Sequence, residues 1–242
     1  MTIKRQALVT GANKGIGLAI AKGLAEAGME VWIGARDRSR GEDAVRKLQG
    51  EGLDVRLLEI DVADDESVLR AADTVRDASG ALHVLVNNAG IILDGSAPPS
   101  QLPMSDLKAT YETNLFGPIR VTQAFVPLLA AAKDARVVMM GSGVGSLALI
   151  TDPTSIYSSV NFLAYTSSKV ALNAATVSFA KELELLGIKV NVVEPGHVQT
   201  DLNGNTGFLT PEEGARTAIK MALLDESGPT GGFFGSHGRQ PW

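Results

Sequence analysis

The sequence predicts an α/β fold: a single domain over residues 1–242, with a doubly wound parallel sheet of seven strands and helices on both faces. Three observations predict it. Short apolar runs alternate with longer amphipathic stretches along the chain, without a linker or an internal repeat. The first run, Ala7-Leu8-Val9, passes through a glycine-rich turn straight into a helical pattern. Small, amide and hydroxyl residues gather just after the apolar runs, at the carboxyl ends of the expected strands, where sheets of this kind bind ligands.

Composition narrows the function classes. Of the 242 residues, 45% are hydrophobic and 20% charged, the balance of a folded globular protein. A net charge of −5 and the lack of a basic run argue against nucleic acid as a partner. Cysteine is absent, which excludes disulfides, thiolate metal sites and a cysteine nucleophile. His83, His197 and His237 are scattered and no carboxylates group with them, so no metal is expected. Met1 to Gln6 leads directly into a strand without a leader pattern, and no apolar run is long enough to span a bilayer. The expected location is therefore cytoplasmic, with no membrane partner.

Taken in order, the first strand ends in Thr10-Gly11-Ala12-Asn13-Lys14-Gly15-Ile16-Gly17, and a helix runs on from Leu18. Gly11 permits a tight turn. Gly15 and Gly17 let backbone approach a phosphate at the helix N-terminus, where free N–H groups and the helix dipole favour an anion. The same glycines would serve a plain turn, but strand, turn and helix together point to a dinucleotide. Met29 to Ala35 is the second strand. Selection of the unphosphorylated dinucleotide calls for an acid at its end, bonded to the ribose 2′-hydroxyl. Ala35 and Arg36 stand there instead, and Lys14 adds a second cation on the same side. Two cations without an acid fit a 2′-phosphate, hence NADP(H). The alternative is two solvated cations, with Asp37 neutralising Arg36.

Ser39 to Gln49 reads as a helix closed by Gly50 and Gly52. Asp54 to Ile60 is the third strand and ends in Asp61-Val62. Asp61 is placed to bond an adenine amino group, to cap the helix over 64–79, or both. Leu82 to Val86 is the fourth strand, and Asn87-Asn88-Ala89-Gly90 at its end suits close approach of a ribose or is a plain turn. A long helix is expected from a cap at Ser105 or Asp106 to about Ala132, slightly bent at Pro127. Asn114 falls in its buried middle, where the amide must be satisfied by a water held against a backbone carbonyl or by a packed neighbour.

Arg136 to Met140 is the fifth strand, followed by Gly141-Ser142-Gly143. Residues 144–162 read as a loop with room for one helical turn. Ile188 to Val193 is the sixth strand, followed by Glu194-Pro195-Gly196-His197-Val198-Gln199-Thr200. The polar, glycine-containing stretch 201–210 reads as a mobile lid. Thr210-Pro211 opens a further helix, and Gly231 to Phe234 forms the last strand.

In Ala164-Tyr165-Thr166-Ser167-Ser168-Lys169 a tyrosine stands four residues ahead of a lysine at the start of a buried helix. That spacing puts both on one face. A free phenol titrates near about 10, and a neighbouring cation favours the phenolate and lowers that value. The pair is a candidate proton donor or acceptor. Taken alone, it also fits a helix face with a snorkelling lysine.

In order and spacing, Thr10-Gly11-x-x-x-Gly15-x-Gly17, Asn87-Asn88-Ala89-Gly90, Asn114, Ser142, Tyr165-x-x-x-Lys169 and Pro195-Gly196 resemble the short-chain dehydrogenase/reductase family over nearly the full length. The turn Asn13-Lys14-Gly15-Ile16-Gly17, the stretch Gly34-Ala35-Arg36-Asp37 and the end of the chain are similar to its NADPH-dependent carbonyl reductases. The resemblance implies a Rossmann-type domain that binds NADP(H) and reduces a small-molecule carbonyl. It implies that Tyr165 is the general acid and that Lys169 lowers its pKa and bonds the nicotinamide ribose. Ser142 would bond the substrate carbonyl and steady the alkoxide. Asn114 would hold a water in a proton relay ending at Lys169. The Val198 backbone would bond the carboxamide, and Thr200 would lie near the pyrophosphate. Asn13, Ile16, Val62, Asn88, Ala89, Gly90, Pro195 and Gly196 would line the cofactor. A homodimer or homotetramer follows by the same analogy.

Two departures stand out. The serine-to-tyrosine spacing exceeds the usual one, yet falls short of the long insert of the mostly monomeric animal carbonyl reductases, so a monomer does not carry over. The serine also sits between glycines, with Ser146 a weaker alternative. Tyr157 looks like a decoy, since Asn and not Lys occupies 161. A 3-oxoacyl-thioester reductase is disfavoured by the acidic balance. A silent NADP-binding sensor would be expected to lack the tyrosine or lysine. A serine hydrolase would need the outer glycines of a nucleophile elbow. The substrate is expected to meet Leu93, Asp94, the insert 143–162 and the lid 197–210, while His197 reads as a surface residue.

Overall fold

The computed structural model describes residues 4–242; Met1 to Ile3, read above as leading into the first strand, lie outside the described residues. Strands β1 (Gln6–Thr10), β2 (Glu30–Ala35), β4 (Val84–Asn87), β5 (Arg136–Met140) and β6 (Lys189–Val193) are buried almost throughout, while β3 (Val55–Glu59) shows partial exposure at the sheet edge. Their Val- and Ile-rich sequences suit strands covered on both faces. With β7 (Phe233–Gly235), parallel to β6, and β8 (Gly238–Arg239), the sheet order is β3-β2-β1-β4-β5-β6-β7-β8. The connectivity reverses between β1 and β4.

The seven expected parallel strands are present, and an eighth is added. β8 (Gly238–Arg239) runs antiparallel to β7. The chain folds back through Ser236-His237 into Gly238, whose φ of 105° suits a residue without a side chain. A two-residue strand leaves no apolar run to read.

Helices cover both faces. α1 (Gly15–Glu26), α2 (Arg38–Gly50) and α8 (Pro211–Ala222) bury Ile20, Leu24, Leu48 and Met221 against Val9 and Ile33. α3 (Asp65–Ser79), α5 (Gly117–Ala131) and α7 (Leu163–Leu183) bury Val68, Phe125 and Leu172 against Leu85 and Val137. Caps are local at the heads of α2, α3 and α8. Asp37 accepts from Arg40 N, Asp64 accepts from Ser67 N, and Thr210 and Glu213 close a capping box. Asp61 is therefore not the cap of α3; its carboxylate accepts from Ala63 N. Asp37 ion-pairs with Arg40 at 3.5 Å rather than with Arg36.

The long helix expected from Ser105 or Asp106 to Ala132 is three pieces. α4 (Met104–Tyr111) starts after Pro103 with no side-chain cap, so both expected caps lie inside its first turn. Glu112–Phe116 then forms a π turn, and α5 follows. The π turn carries Asn114, whose amide reaches the loop after β4 and a neighbouring helix. The insert after β5 holds a 3₁₀ turn (Gly143–Gly145) and the short α6 (Leu147–Thr151), whose cap is the fully buried Ser146. The lid contains a 3₁₀ turn, Asp201–Asn203, and a Val198–Leu209 bridge. Among the described residues, no helix is long and apolar enough to cross a membrane.

Candidate active site

A cleft of about 590 Å³ opens at the carboxyl ends of β1 and β4, where the sheet order reverses. Its floor is the glycine turn. Lys14 is extended at the head of α1 (φ −164°), without a side-chain cap and with no acid in the first turn of the helix. The first N–H groups of α1 thus lack the side-chain partners that α2, α3 and α8 have, and face an open cleft. Gly17 is packed too closely for any side chain: a Cβ there would collide with Asn88 Nδ2 and lie 2.5 Å from Gly11 O.

The end of β4 braces this turn. Asn88 Nδ2 donates to Thr10 O (2.9 Å) and Gly11 O (3.1 Å), while Asn88 N and Ala89 N donate to Thr10 Oγ1 at 3.0 and 3.1 Å. The Asn88 amide nitrogen is therefore spent on the turn, and Asn88, Ala89 and Gly90 line the cleft beside it. At the far end lie Arg36, Asp37 and Arg40, with Asp61 and Val62 nearby. Arg36 makes no ion pair among the described residues. Arg40, not singled out from the sequence, lies in the first turn of α2 on the same wall. Lys14 is not free: its ammonium pairs with Asp201 of the lid at 2.6 Å, across the cleft mouth.

Tyr165 and Lys169 line the same cleft from α7. Lys169 Nζ donates 2.7 Å to Met140 O at the end of β5 and stands 5.6 Å from the centre of the Tyr165 ring. Burial pushes the ammonium down to about 8. The phenol moves against the sequence expectation. Burial pushes it up to about 12, the Ser142 hydroxyl pulls it back, and Lys169 does not reverse the balance. Ser142 is partly buried on extended backbone directly after β5.

Asn114 is fully buried, and its amide is bonded to two residues. Oδ1 accepts from Ile91 N (2.8 Å) and Nδ2 donates to Ile91 O (2.9 Å), with a further bond to Ser168 Oγ at 3.2 Å. Its side chain thus ties the loop after β4 to α7.

Tyr157, set aside as a decoy, lies against the backbone beside Ser142. A Cβ on Gly143 would fall within its ring, against Cζ. Its hydroxyl donates 3.0 Å to Glu194 Oε2, which also accepts from Gly196 N at 3.2 Å. Burial and the Glu194 charge push this phenol above its ordinary range. His197 is exposed and meets Phe208 of the lid edge-on.

The cleft collects Gly11, Asn13, Lys14, Gly15, Ile16 and Gly17 from the turn, and Pro195 and Thr200 from beyond β6. Asn114, Ser142, Gly196 and Val198 stand outside its lining, with Val198 O accepting from Asn203 Nδ2. Asp94, expected against substrate, is buried and bonded to the start of α7. Arg40 carries a readable signal, a cation four residues past Arg36. Asp94 and Tyr157 act over distances no local pattern records.

The family model for short chain dehydrogenases matches residues 5–207. A short-chain dehydrogenase of Penicillium roqueforti is 37% identical, over 89% of this chain and 87% of its own. Carbonyl reductase (NADPH) 1 of Rattus norvegicus is 32% identical over 98% of each chain. The crystal structure of NADPH-bound carbonyl reductase from chicken fatty liver superposes with a TM-score of 0.87 at 28% identity, covering 99% of both chains.

Proposed function

The chain belongs to the short-chain dehydrogenase family, and we propose that it uses NADPH to reduce a small-molecule carbonyl (ketone, aldehyde, diketone or quinone) to the alcohol. The observation that carries this reading is the meeting, in one cleft, of Tyr165 and Lys169 with the uncapped glycine turn. The cradle fits NADP(H). Its floor excludes side chains at Gly17, its helix head offers free N–H groups, and Lys14, Arg36 and Arg40 supply positive charge for a 2′-phosphate. Asp61 and Val62 would hold the adenine end, Ala89 and Gly90 a ribose, and Thr200 the pyrophosphate. The relatives named as NADPH carbonyl reductases support the same choice.

The cofactor, when bound, supplies the hydride. The chain's own residues handle the proton and the developing charge. Tyr165, titrating near 12, carries its proton at neutral pH and donates it to the carbonyl oxygen. Lys169 is charged below about 8 and stabilises the phenolate that forms beside it. Ser142 donates a hydrogen bond to the same oxygen and steadies it as charge builds. Tyr157 forms a wall next to Ser142 and, with the segments 143–162 and 197–210, shapes the substrate space. Action in the cytosol and a homodimer or homotetramer complete the reading, the oligomer by family analogy.

NADPH and NADH oxidation against a panel of aldehydes, ketones, diketones, quinones and a 3-oxoacyl thioester tests it. The expected result is turnover of ketones or quinones with NADPH preferred. Tyr165→Phe is expected to lower kcat by about 10²–10⁴-fold, the usual contribution of a general acid, with NADPH binding nearly intact. Activity retained in that variant removes Tyr165 as the acid.

A further inference from the structure

We propose that Asp94 is a positioning residue for this active site: its buried carboxylate, delivered from the loop after β4, holds the first turn of the helix that carries Tyr165 and Lys169. The proposal rests on the reductase reading for its kinetic test but not for its structural one.

α7 is 21 residues long and begins at Leu163, after Phe162 on extended backbone. Phe162 has no side-chain acceptor, so the first N–H groups of the helix lack a local cap. Asp94 supplies one from 70 residues away. Its Oδ1 accepts from Ala164 N at 2.7 Å and its Oδ2 from Tyr165 N at 3.0 Å. The residue is 3% exposed and has no Lys, Arg or His ion-pair partner among the described residues. A buried carboxylate without a cation depends on such N–H donors and on the positive end of the helix dipole.

The second carboxylate oxygen bonds the backbone of Tyr165 itself, so the cap and the proposed acid are one bond apart. The loop that delivers Asp94 is fixed in turn. Gly90 lines the cleft, and Ile91 is held at both N and O by Asn114, which also bonds Ser168 on α7. The loop over residues 90–94 is therefore tied at one end to Asn114 through Ile91 and at the other, through Asp94, to the backbone of Tyr165. A serine or aspartate at position 162 would stabilise the helix just as well. A cap brought from the loop after β4, which lines the cleft, also fixes where the helix head stands relative to that cleft.

The experiment compares Asp94→Ala, Asp94→Asn, Phe162→Ser and the double variant Asp94→Ala/Phe162→Ser with wild type. It follows the carbonyl panel with NADPH, thermal melting, and the titration of Tyr165 by ¹³C NMR. The chain has only three tyrosines, and Tyr165→Phe assigns the signal. In Asp94→Ala, kcat is expected to fall about 10–100-fold, the scale of a small misplacement, with the KM for NADPH within about threefold. The Tyr165 resonance is expected to titrate at lower pH as the phenol gains water. In the double variant, the local cap introduced by Phe162→Ser restores the melting temperature to that of the Phe162→Ser single variant, while kcat stays low. Asp94→Asn keeps the volume and one acceptor but turns an amide N–H toward Tyr165 N–H, and is expected to fall between wild type and Asp94→Ala; it carries the test if Asp94→Ala does not fold. Restoration of kcat in the double variant overturns the proposal, since a cap alone then suffices. So does an Asp94 variant with wild-type kcat and an unchanged Tyr165 titration. Absence of turnover in wild type removes the reductase reading, and the Tyr165 titration then decides the role of Asp94 by itself.

Discussion

Lys169 is 4% exposed, and its ammonium has one protein acceptor, Met140 O. Holding a charge there costs stability. Below about 8 the folded and unfolded states both bind the proton, and the cost is felt in full. As pH rises toward the ordinary lysine value of about 10.4, the unfolded chain binds more protons than the folded one, so stability rises. Lys169→Met is expected to raise the melting temperature at neutral pH, by roughly 2–4 °C per kcal/mol recovered, while abolishing turnover. A melting curve and an NADPH assay on one sample check both. The wild-type reduction rate is expected to be flat below pH 8 and to fall as pH rises through about 8, because the cation beside the phenol is lost there. Arg36 sits on the cleft wall without a counter-ion among the described residues. Arg36→Ala is expected to raise the KM for NADPH about 10-fold or more and to spare NADH, as one charge-assisted contact to phosphate would require. Equal effects on the two cofactors would contradict a 2′-phosphate contact.

Elements differ in how far they announce themselves. The strand-turn-helix of β1 and α1 is written in neighbouring residues, and so is the Tyr165–Lys169 face of α7, because both depend on spacing within one turn or one helix. The insert after β5 is not. Its form is set by Tyr157 lying on Gly143 and bonding Glu194, and Glu194 is 37 residues further on. Glycines at 141, 143 and 145 were the available hint of close packing, but nothing named the partner. Asn114 was legible as a buried amide needing partners, whereas the π turn that aims it at Ile91 was not, since α and π turns draw on the same residues. Gly143→Ala places a methyl inside the Tyr157 ring, so the insert must shift. The expected outcome is a change in substrate selectivity and a loss of kcat/KM, with NADPH affinity kept, measured by ketone panel and cofactor titration. Loss of cofactor binding instead would mean that the insert supports the cleft rather than the substrate.

At the scale of the molecule, alternation of strand and helix sufficed to predict a parallel sheet with its site at the carboxyl ends of the strands, because topology leaves few other places. What joins the two sides of that site was hidden. Lys14 and Asp201 are 187 residues apart, and their pair links the glycine turn to the lid. Both are more than half exposed, so the pair adds little stability, yet it engages one of the cations that the proposed 2′-phosphate contact calls for. Asp201→Ala is expected to lower the KM for NADPH about 2–3-fold at low salt and to lose that advantage at high salt, with no effect on NADH. An unchanged KM would mean that Lys14 does not meet the phosphate. The opposite end of the sheet lies away from this cleft. Leu185, in the short turn between α7 and the start of β6, is 89% exposed at that end. In a chain without cysteine, a thiol introduced there would be the sole point of attachment, and a protein tethered through it to an electrode or a bead would present its open cleft to the solution.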